Sequence, residues 1–413
     1  MRIVEGRSAA TLVEKLSARS SQWSDLEPKV LQIVNDVRRG GDRELRRYAT
    51  KWDGLGSKEP FRISQKEMAA ALNSLAPELC KSLQLAAKNI RRFCEWQKPR
   101  SWTRTRKGVS LGQLISPLES VGCYVPGGRY PLVSTVLMTV IPAQAAGVQN
   151  IRVVSPRPSA EVLGAAALLG VSDFYRIGGA QAVSALAYGT KGVPRVDKIV
   201  GPGNSYVTVA KRLVSFDCAI DFLAGPTEAL IVSDNGRPEF IAADLVAQAE
   251  HDVEALSLFV TTSRKLATAV QKCVSEVAQD NPIAKKSLRH RGAILIAGSR
   301  TQALGWANDL AVEHITVEEQ DVPSIRNAGS IFVGDYSAQP AGDYASGPNH
   351  VLPTEGQARF RGGLSVLDFV KVVTVQQLSA AGLRKIAPAI EYLAHAEGLA
   401  AHANSIRVRC KGA

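Results

Sequence analysis

The chain has 413 residues, and at about 150 residues per domain this length predicts two or three folding units. A composition of 45% hydrophobic and 21% charged residues excludes wholesale disorder, and six cysteines without a CxxC pair exclude a disulfide-stapled miniprotein and a thiolate zinc finger. The net charge of +12 is compatible with nucleic acid or an anionic cofactor, whereas the lack of a long apolar run and of a signal-peptide layout predicts a cytoplasmic protein without a membrane span.

The first predicted elements are helical and lead into a basic stretch. Apolar residues recur at helical spacing from Ser64 to Trp96. Eight basic residues and one acidic residue lie between Lys88 and Lys107, with aromatic residues among them, and such a mixture can bind single-stranded nucleic acid. A charged helix end followed by an exposed hairpin (WTRTRKGVSLGQLI) explains the same residues without that partner, and we favour this interpretation.

Strands and helices then alternate, with short loops, through the middle of the chain. A first set runs from VGCYVP to SYVTVAKRLVSF and a second from ALIVSD to SIFVGD. This alternation is typical of parallel sheets covered by helices on both faces, and two sets predict two lobes with a binding cleft between them. After Gly363 the pattern is helical again. This tail is too short for a core of its own, so we expect it to pack on a lobe or on a second subunit.

Two histidines lie in pairs suited to metal binding or proton transfer. Gln248 and His251 are three residues apart at the end of a predicted helix, so an amide oxygen and an imidazole nitrogen share one face and can bind zinc, although glutamine is an uncommon ligand. A polar helix end explains them equally. Glu313 and His314 offer two adjacent proton acceptors whose environments can set different pKa values, or form a simple surface pair.

Two further histidines lie near carboxylates. Asp343 and His350 occur in a loop rich in glycine and proline, where they can bind a ligand or merely cap a turn. Glu397 and His402 lie in the helical tail, where a single histidine is usually a surface residue. Spacing alone does not show that these residues meet. Four of the polar residues would form a nitrogen and oxygen set typical of catalytic zinc: Gln248, His251, Asp343 and His402.

Three glycine turns favour an anionic cofactor. The segment from Gly201 to Tyr206 has tyrosine where the third glycine of a dinucleotide-binding fingerprint should stand, so that fingerprint is absent. The segments VPGG, IGGAQA and VGPGN nevertheless each end a predicted strand and precede a helix. Such turns allow the backbone to approach a phosphate and direct the amides of a helix N-terminus at it.

Long blocks of the sequence resemble the histidinol dehydrogenase family, from about Val13 to Val408. They include VGCYVPGGRYPLVSTVLM, VDKIVGPGNSYVTVAKR, IDFLAGPTEAL, ADLVAQAEHD, AGDYASGPNHVLPT and AEGLAAHANSIRVR, in this order. The resemblance implies NAD-dependent, four-electron oxidation of L-histidinol to L-histidine through bound L-histidinaldehyde, the last step of histidine biosynthesis. It further implies one zinc ion per subunit, a homodimer with shared active sites, and no nucleic-acid or membrane partner.

The resemblance also assigns roles to residues. Glu313 and His314 match the catalytic acid and base. The metal ligands fall on Gln248, His251, Asp343 and His402, and in the family the last of these comes from the partner subunit. The positions that contact NAD fall on Tyr124, Gln181 and Asn204. The substrate-binding positions fall on Thr227, Gln248, His251, His314, Asp343, His350, Glu397 and His402.

The fold implied is α/β, with two incomplete Rossmann-like lobes similar to aldehyde dehydrogenases and small helical terminal pieces. The parts are an N-terminal helical piece (1–20), a metal and substrate lobe (21–123 with 229–363), an NAD lobe (124–228) and a C-terminal helical piece (364–413) that completes the partner's site. Thr227 stands where the family usually has serine, and Val312 where it commonly has proline. A sibling zinc- and NAD-dependent dehydrogenase of another small polar alcohol, such as a sulfonated propanediol, is the alternative.

Overall fold

The computed structural model describes residues 1–19, 23–127 and 131–411. The predicted boundary at residues 20 and 21 and the last glycine of the VPGG turn, Gly128, lie outside these residues. The strands are β1 (Arg2–Glu5), β2 (Trp102–Arg106), β3 (Val109–Pro117), β4 (Ser120–Tyr124), β5 (Asn150–Val154), β6 (Asp173–Tyr175), β7 (Lys198–Val200), β8 (Ala219–Ile220), β9 (Glu228–Val232), β10 (Leu256–Thr261), β11 (Ala293–Ile296), β12 (His314–Val317), β13 (Ser330–Val333) and β14 (Val370–Leu378).

Helices lie between most of these strands. They are α1 (Gly6–Ser17), α2 (Glu27–Gly40), α3 (Asp42–Tyr48), α4 (Gln65–Ser74), α5 (Pro77–Gln97), α6 (Val133–Ala146), α7 (Ala160–Leu168), α8 (Gly179–Tyr188), α9 (Ser205–Val214), α10 (Pro238–Ala249), α11 (Arg264–Val277), α12 (Pro282–His290), α13 (Arg300–Leu310), α14 (Gln339–Tyr344), α15 (Ala380–Ala396) and α16 (Ala400–Lys411). Across the described residues, none of the helices is both long enough and apolar enough to span a membrane.

One lobe is built on a five-stranded parallel sheet with the order β6-β5-β4-β7-β8, and we call it the five-strand lobe. Alternate strand residues point to opposite faces, so the sheet has two cores. On one face Val121 and Val153 pack against α4 to α7. On the other face Tyr124 and Ile199 pack against α2, α3, α8 and α9. The helices on both faces bury the apolar strands, as a parallel sheet requires.

The second lobe is built on a six-stranded parallel sheet with the order β1-β11-β10-β9-β12-β13, and we call it the six-strand lobe. Leu258 and Val260 of β10 pack toward α1 and α13, whereas Phe259 between them packs toward α10, α11 and α12. Helices thus cover both faces of this sheet, as the alternation of strands and helices in the sequence predicts. The α/β prediction with parallel sheets is confirmed.

A separate antiparallel sheet with the order β14-β3-β2 carries the predicted hairpin. Lys107 and Gly108 form its two-residue turn with φ of 51° and 82°, and positive φ at both positions suits the right-handed twist of the flanking strands. All five residues of β2 are exposed, so this strand lies on the surface, as the predicted exposed hairpin requires. The charged helix α5 ends at Gln97, just before the hairpin, so the basic stretch has the helix-and-hairpin structure that we favoured.

The structure corrects the predicted division of the chain. Residues 27–97 do not join the sheet of 229–363, because their helices bury their apolar stripes in the five-strand lobe. The N-terminal piece is not only helical, since Arg2–Glu5 pairs with β11 as an edge strand of the six-strand lobe. The C-terminal piece likewise contains a strand, β14, before the helices α15 and α16.

The attachment of α2 to the five-strand lobe can be tested by a pair of substitutions. Ile33 is 4% exposed and lies in the core beside Val183, whereas Leu31 on the same helix is 42% exposed. We expect Ile33→Ala to lower the free energy of unfolding by about 2–4 kcal/mol, because it leaves a cavity in the core. Leu31→Ala should change it by about 0.5 kcal/mol or less. Urea denaturation measures both, and equal effects would contradict the packing described.

Candidate active site

The two sheets present opposite strand ends to a shared cleft. In the five-strand lobe, β4 and β7 run toward it and end at Tyr124 and Val200. In the six-strand lobe, β9 and β12 begin at it, with Glu228 and His314. A cavity of about 540 Å³ lies here and is lined from both lobes. Seven of the predicted substrate, metal or catalytic residues border it: Thr227, Gln248, His251, Glu313, His314, Asp343 and His350.

Glu313 and His314 are buried at the amino end of β12, 7% and 3% exposed. The carboxylate atom Oε2 of Glu313 accepts hydrogen bonds from the Thr227 hydroxyl and from the main-chain N–H of Glu228, the latter at 2.9 Å. The ring of His314 lies with Nδ1 3.3 Å from the Glu228 carbonyl oxygen and Nε2 3.5 Å from Asp343 Oδ1. The ring of Phe332 stacks against it at 5.8 Å between centroids. The pair is therefore held on several sides.

The two carboxylates set the protonation of His314. Burial lowers its pKa, but the charge of Glu313 and the hydrogen bond to Asp343 outweigh burial and raise the pKa to about 10. In the chain without a bound cation, the protonated ring is therefore favoured near neutral pH. A cation bound beside an ionisable group reverses such a preference, because it opposes a second positive charge.

Asp343 is surrounded by imidazoles. It is the last but one residue of α14, and burial raises its pKa, but the hydrogen bond from His314 and the charges of His314, His350 and His251 together lower it. His350 has its Nδ1 2.8 Å from the Asp343 carbonyl oxygen. Burial lowers the pKa of His350 in spite of the nearby carboxylate, so this ring is neutral at neutral pH. Asp343 thus remains ionised among rings that can bind a ligand.

Thr227 connects a predicted ligand to a predicted catalytic residue. The amide nitrogen Nε2 of Gln248 donates to the Thr227 hydroxyl, which itself donates to Glu313. Gln248 lies in the last turn of α10 and is 3% exposed, whereas His251 follows two residues after the helix ends and is exposed. Both still border the cavity. Serine would give the same hydroxyl, so the threonine keeps this link.

His402 and Glu397 do not reach the cavity within one chain. His402 is exposed on α16, and Glu397 is exposed just after α15. Among the residues that the structure describes, no group of three His, Cys, Asp or Glu side chains is arranged to hold a metal. This agrees with the geometry of the four predicted ligands, because only two of them that border the cavity, His251 and Asp343, are of these types, and the third, Gln248, is an amide. The donor set fits a cation only if another imidazole joins it.

A second cavity of about 720 Å³ is lined by the three positions predicted to contact NAD, Tyr124, Gln181 and Asn204. Asn204 borders both cavities and caps α9 by accepting from the Val207 N–H at 3.2 Å. The Tyr124 hydroxyl accepts from the Gly179 N–H at 2.9 Å, at the start of α8. The Gln181 atom Oε1 is buried without a partner among the described residues. The unpaired amide oxygen offers a hydrogen-bond acceptor to a polar ligand bound in this cavity.

Sequence reasoning missed polar residues that support both cavities. Asp53, 6% exposed, borders the second cavity and accepts from the Gly178 N–H at 3.0 Å and from the Gln181 side chain at 3.1 Å. Burial raises its pKa. Arg19 and Glu228 form an ion pair behind Glu313. These residues are distant in sequence from the motifs they support, and nothing in their local pattern indicates the contact.

The comparisons with known proteins agree along nearly the whole chain. A family model described as histidinol dehydrogenase matches residues 16–410. The histidinol dehydrogenases of Methanothermobacter thermautotrophicus and Methanosarcina barkeri are 46% and 45% identical to this chain and cover 98% and 96% of it, and it covers 97% and 95% of them. The crystal structure of histidinol dehydrogenase from Elizabethkingia anophelis is 34% identical and superimposes with a TM-score of 0.93 over 100% of this chain and 98% of that one.

The environment of His314 predicts its titration in protein stripped of metal. We expect a pKa of about 10 by NMR of the imidazole ring, and a lower value in Asp343→Asn, which removes one of the two carboxylates that raise it. Because the folded-state pKa lies above the ordinary value of 6.5, the protonated ring stabilises the fold below that pH, and the contribution is lost as the pH rises through about 10. Asp25→Asn, at an exposed carboxylate, is the control. An unchanged His314 pKa in Asp343→Asn would contradict the assignment.

Proposed function

The chain belongs to the histidinol dehydrogenase family, and from this premise we propose that it oxidises L-histidinol to L-histidine with two equivalents of NAD⁺ and one water, through bound L-histidinaldehyde. The observation that carries the proposal is the Glu313–His314 pair, buried at the wall of a cavity that also has Gln248, His251 and Asp343 in its lining. A site that binds only a ligand has no need of two proton acceptors held in this way.

We assign different roles to Glu313 and His314 because their side chains lie at different positions in the site. A zinc ion would be held by Gln248, His251, Asp343 and an imidazole from a second chain, and it would supply a positive charge that positions the substrate. NAD⁺ would supply the hydride acceptor. His314 accepts the hydroxyl proton as the alcohol carbon loses hydride. Glu313 precedes His314 in the chain, and its carboxylate approaches the reacting carbon from another direction. This carboxylate takes a proton from the water that adds to the aldehyde. His314 returns its proton to the aldehyde oxygen as the water adds, and it then accepts a hydroxyl proton of the hydrated aldehyde as the second hydride leaves to a second NAD⁺.

His314 must lose its proton before it can act as a base. The charge of Asp343 contributes to the raised pKa of His314. When Asp343 is engaged by a cation, that contribution falls and the neutral imidazole becomes available at lower pH. We propose that His350, which lies beside Asp343, donates a hydrogen bond to the substrate.

Residues outside the cavity support a homodimer that shares its sites. His402 is exposed on α16, so it is available to another chain. The sheet and helices of the C-terminal piece also expose apolar residues, and large exposed apolar patches mark interfaces. The exposed large apolar residues of β3, β14, α15 and α16 are Leu111, Leu114, Val372, Val373, Val375, Leu378, Ile386, Tyr392, Leu393 and Val408. We propose that this surface packs on a second copy and delivers His402 to its cavity, in a cytoplasmic enzyme.

Product stoichiometry tests the reaction. We expect two NADH per L-histidinol consumed and no free aldehyde, because both oxidations occur before release. Absorbance of NADH and chromatography of histidine measure the two products. A panel of other small polar alcohols, including a sulfonated propanediol, is the control. One NADH per histidinol, or faster oxidation of a panel member, would favour the sibling dehydrogenase.

Mixing two inactive variants tests the shared site. We expect about one zinc per chain in the wild type and less in His402→Ala, which loses a ligand but leaves the lobe cores intact. A heterodimer of His402→Ala with Glu313→Gln has one site with both groups intact, so it should regain activity. Each variant mixed with itself should stay inactive. Well-formed heterodimers without activity would show that each site is built within one chain.

A further inference from the structure

A buried ion pair lies directly behind the Glu313–His314 pair, and the reaction as described does not use it. Arg19 meets Glu228 with both ends of its guanidinium fork, Nε to Oε1 and Nη2 to Oε2, each at 2.8 Å. The side chains are only 12% and 4% exposed. Two parallel hydrogen bonds of this kind fix the orientation of a carboxylate and stabilise its negative charge.

Arg19 also holds the turn that leads into the catalytic pair. Its Nη2 donates to the carbonyl oxygen of Leu310, at 3.0 Å, and its Nη1 to that of Leu16. Leu310 is the last residue of α13 and precedes Glu313 by three residues. One guanidinium therefore ties the start of β9 to the end of α13, and these two elements carry the groups around the catalytic pair.

The main chain of Glu228 contacts both members of that pair. Its N–H donates to Glu313 Oε2 at 2.9 Å, and its carbonyl oxygen lies 3.3 Å from His314 Nδ1. A shift of this one residue would displace both contacts. Its side chain is in turn fixed by Arg19 and by the Glu355 N–H, which donates to Oε1 at 3.1 Å.

Charge makes the arrangement depend on Arg19. Burial and the charge of Glu313 raise the pKa of Glu228, and Arg19 opposes this. Without the guanidinium, two neighbouring carboxylates would be buried with too little positive charge, and one of them would take up a proton or move.

We propose that Arg19 is a positioning residue, which acts through Glu228 to hold Glu313 and His314 where proton transfer occurs. The inference rests on the proposed roles of Glu313 and His314. It predicts a loss of turnover without a loss of binding, because Arg19 does not border the substrate cavity. A displacement of about 1 Å in such groups can reduce rates by about a hundredfold.

The experiment compares kcat, KM and the free energy of unfolding in three variants at Arg19 and in one control variant. Arg19→Met should lower kcat by about 10- to 100-fold with KM for L-histidinol and for NAD⁺ within about twofold. The double variant Arg19→Met with Glu228→Gln removes both charges, so it should regain stability while kcat stays low. Arg19→Lys keeps the positive charge, so its kcat should lie between that of Arg19→Met and that of the wild type. If Arg19→Met does not fold, Arg19→Lys alone tests the proposal.

The matched control is Arg300→Met, at the opposite end of the same sheet. Arg300 pairs with Asp234 and Asp321, so its loss should lower stability and leave kcat unchanged. Recovery of kcat together with stability in the double variant would overturn the proposal, as would an equal loss of kcat in Arg300→Met. Glu313→Gln is measured in parallel. If it oxidises alcohol and aldehyde normally, the role of Glu313 fails as well; if it is impaired and Arg19→Met is not, only the role of Arg19 fails.

Discussion

The side-by-side pairing of β9 and β12 is the constraint on which the site depends. Ala229 lies opposite His314, so the residues that precede them, Glu228 and Glu313, meet at the amino ends of the two strands. Two neighbouring buried carboxylates repel each other unless hydrogen-bond donors stabilise the charge of each. Arg19 supplies them for one and the Thr227 hydroxyl and a main-chain amide for the other. Glu313 and His314 are held in place because both buried carboxylates have their own hydrogen-bond donors.

Most of the two lobes could be predicted from local pattern. Buried strands such as Glu228–Val232 and Leu256–Thr261 are short, mainly apolar runs in the sequence. Such runs predict a parallel sheet, because helices cover both faces of such a sheet. The long blocks that resemble one family predicted that four residues cluster, namely Gln248, His251, Glu313 and Asp343. Each of these residues lies near the end of a strand or helix at the cleft. Family resemblance fixes the order of such blocks, and the sheet then brings their ends together.

The rest depended on contacts that sequence does not encode locally. The amphipathic stripe of α2 shows that the helix is half-buried but not which sheet it covers. The edge strand Arg2–Glu5 has four residues, too few for a periodic signal. The strand Val370–Leu378 does have a local signal, because it contains a run of β-branched residues. The prediction missed this strand because the segment that follows it has a helical pattern. Arg19 and Asp53 have no local signal, since their partners lie more than a hundred residues away.

The opposite polarity of the two sheets has an electrostatic consequence. The five-strand lobe turns helix amino ends toward the cavities, with Gly179 of α8 and Ser205 of α9 in their lining. The six-strand lobe turns a helix carboxyl end toward them, with Gln248 of α10. Aligned peptide dipoles give these ends partial charges of about half a unit, positive at the amino end and negative at the carboxyl end. One wall of the cleft therefore attracts phosphate and the other attracts cations, before any side chain is counted.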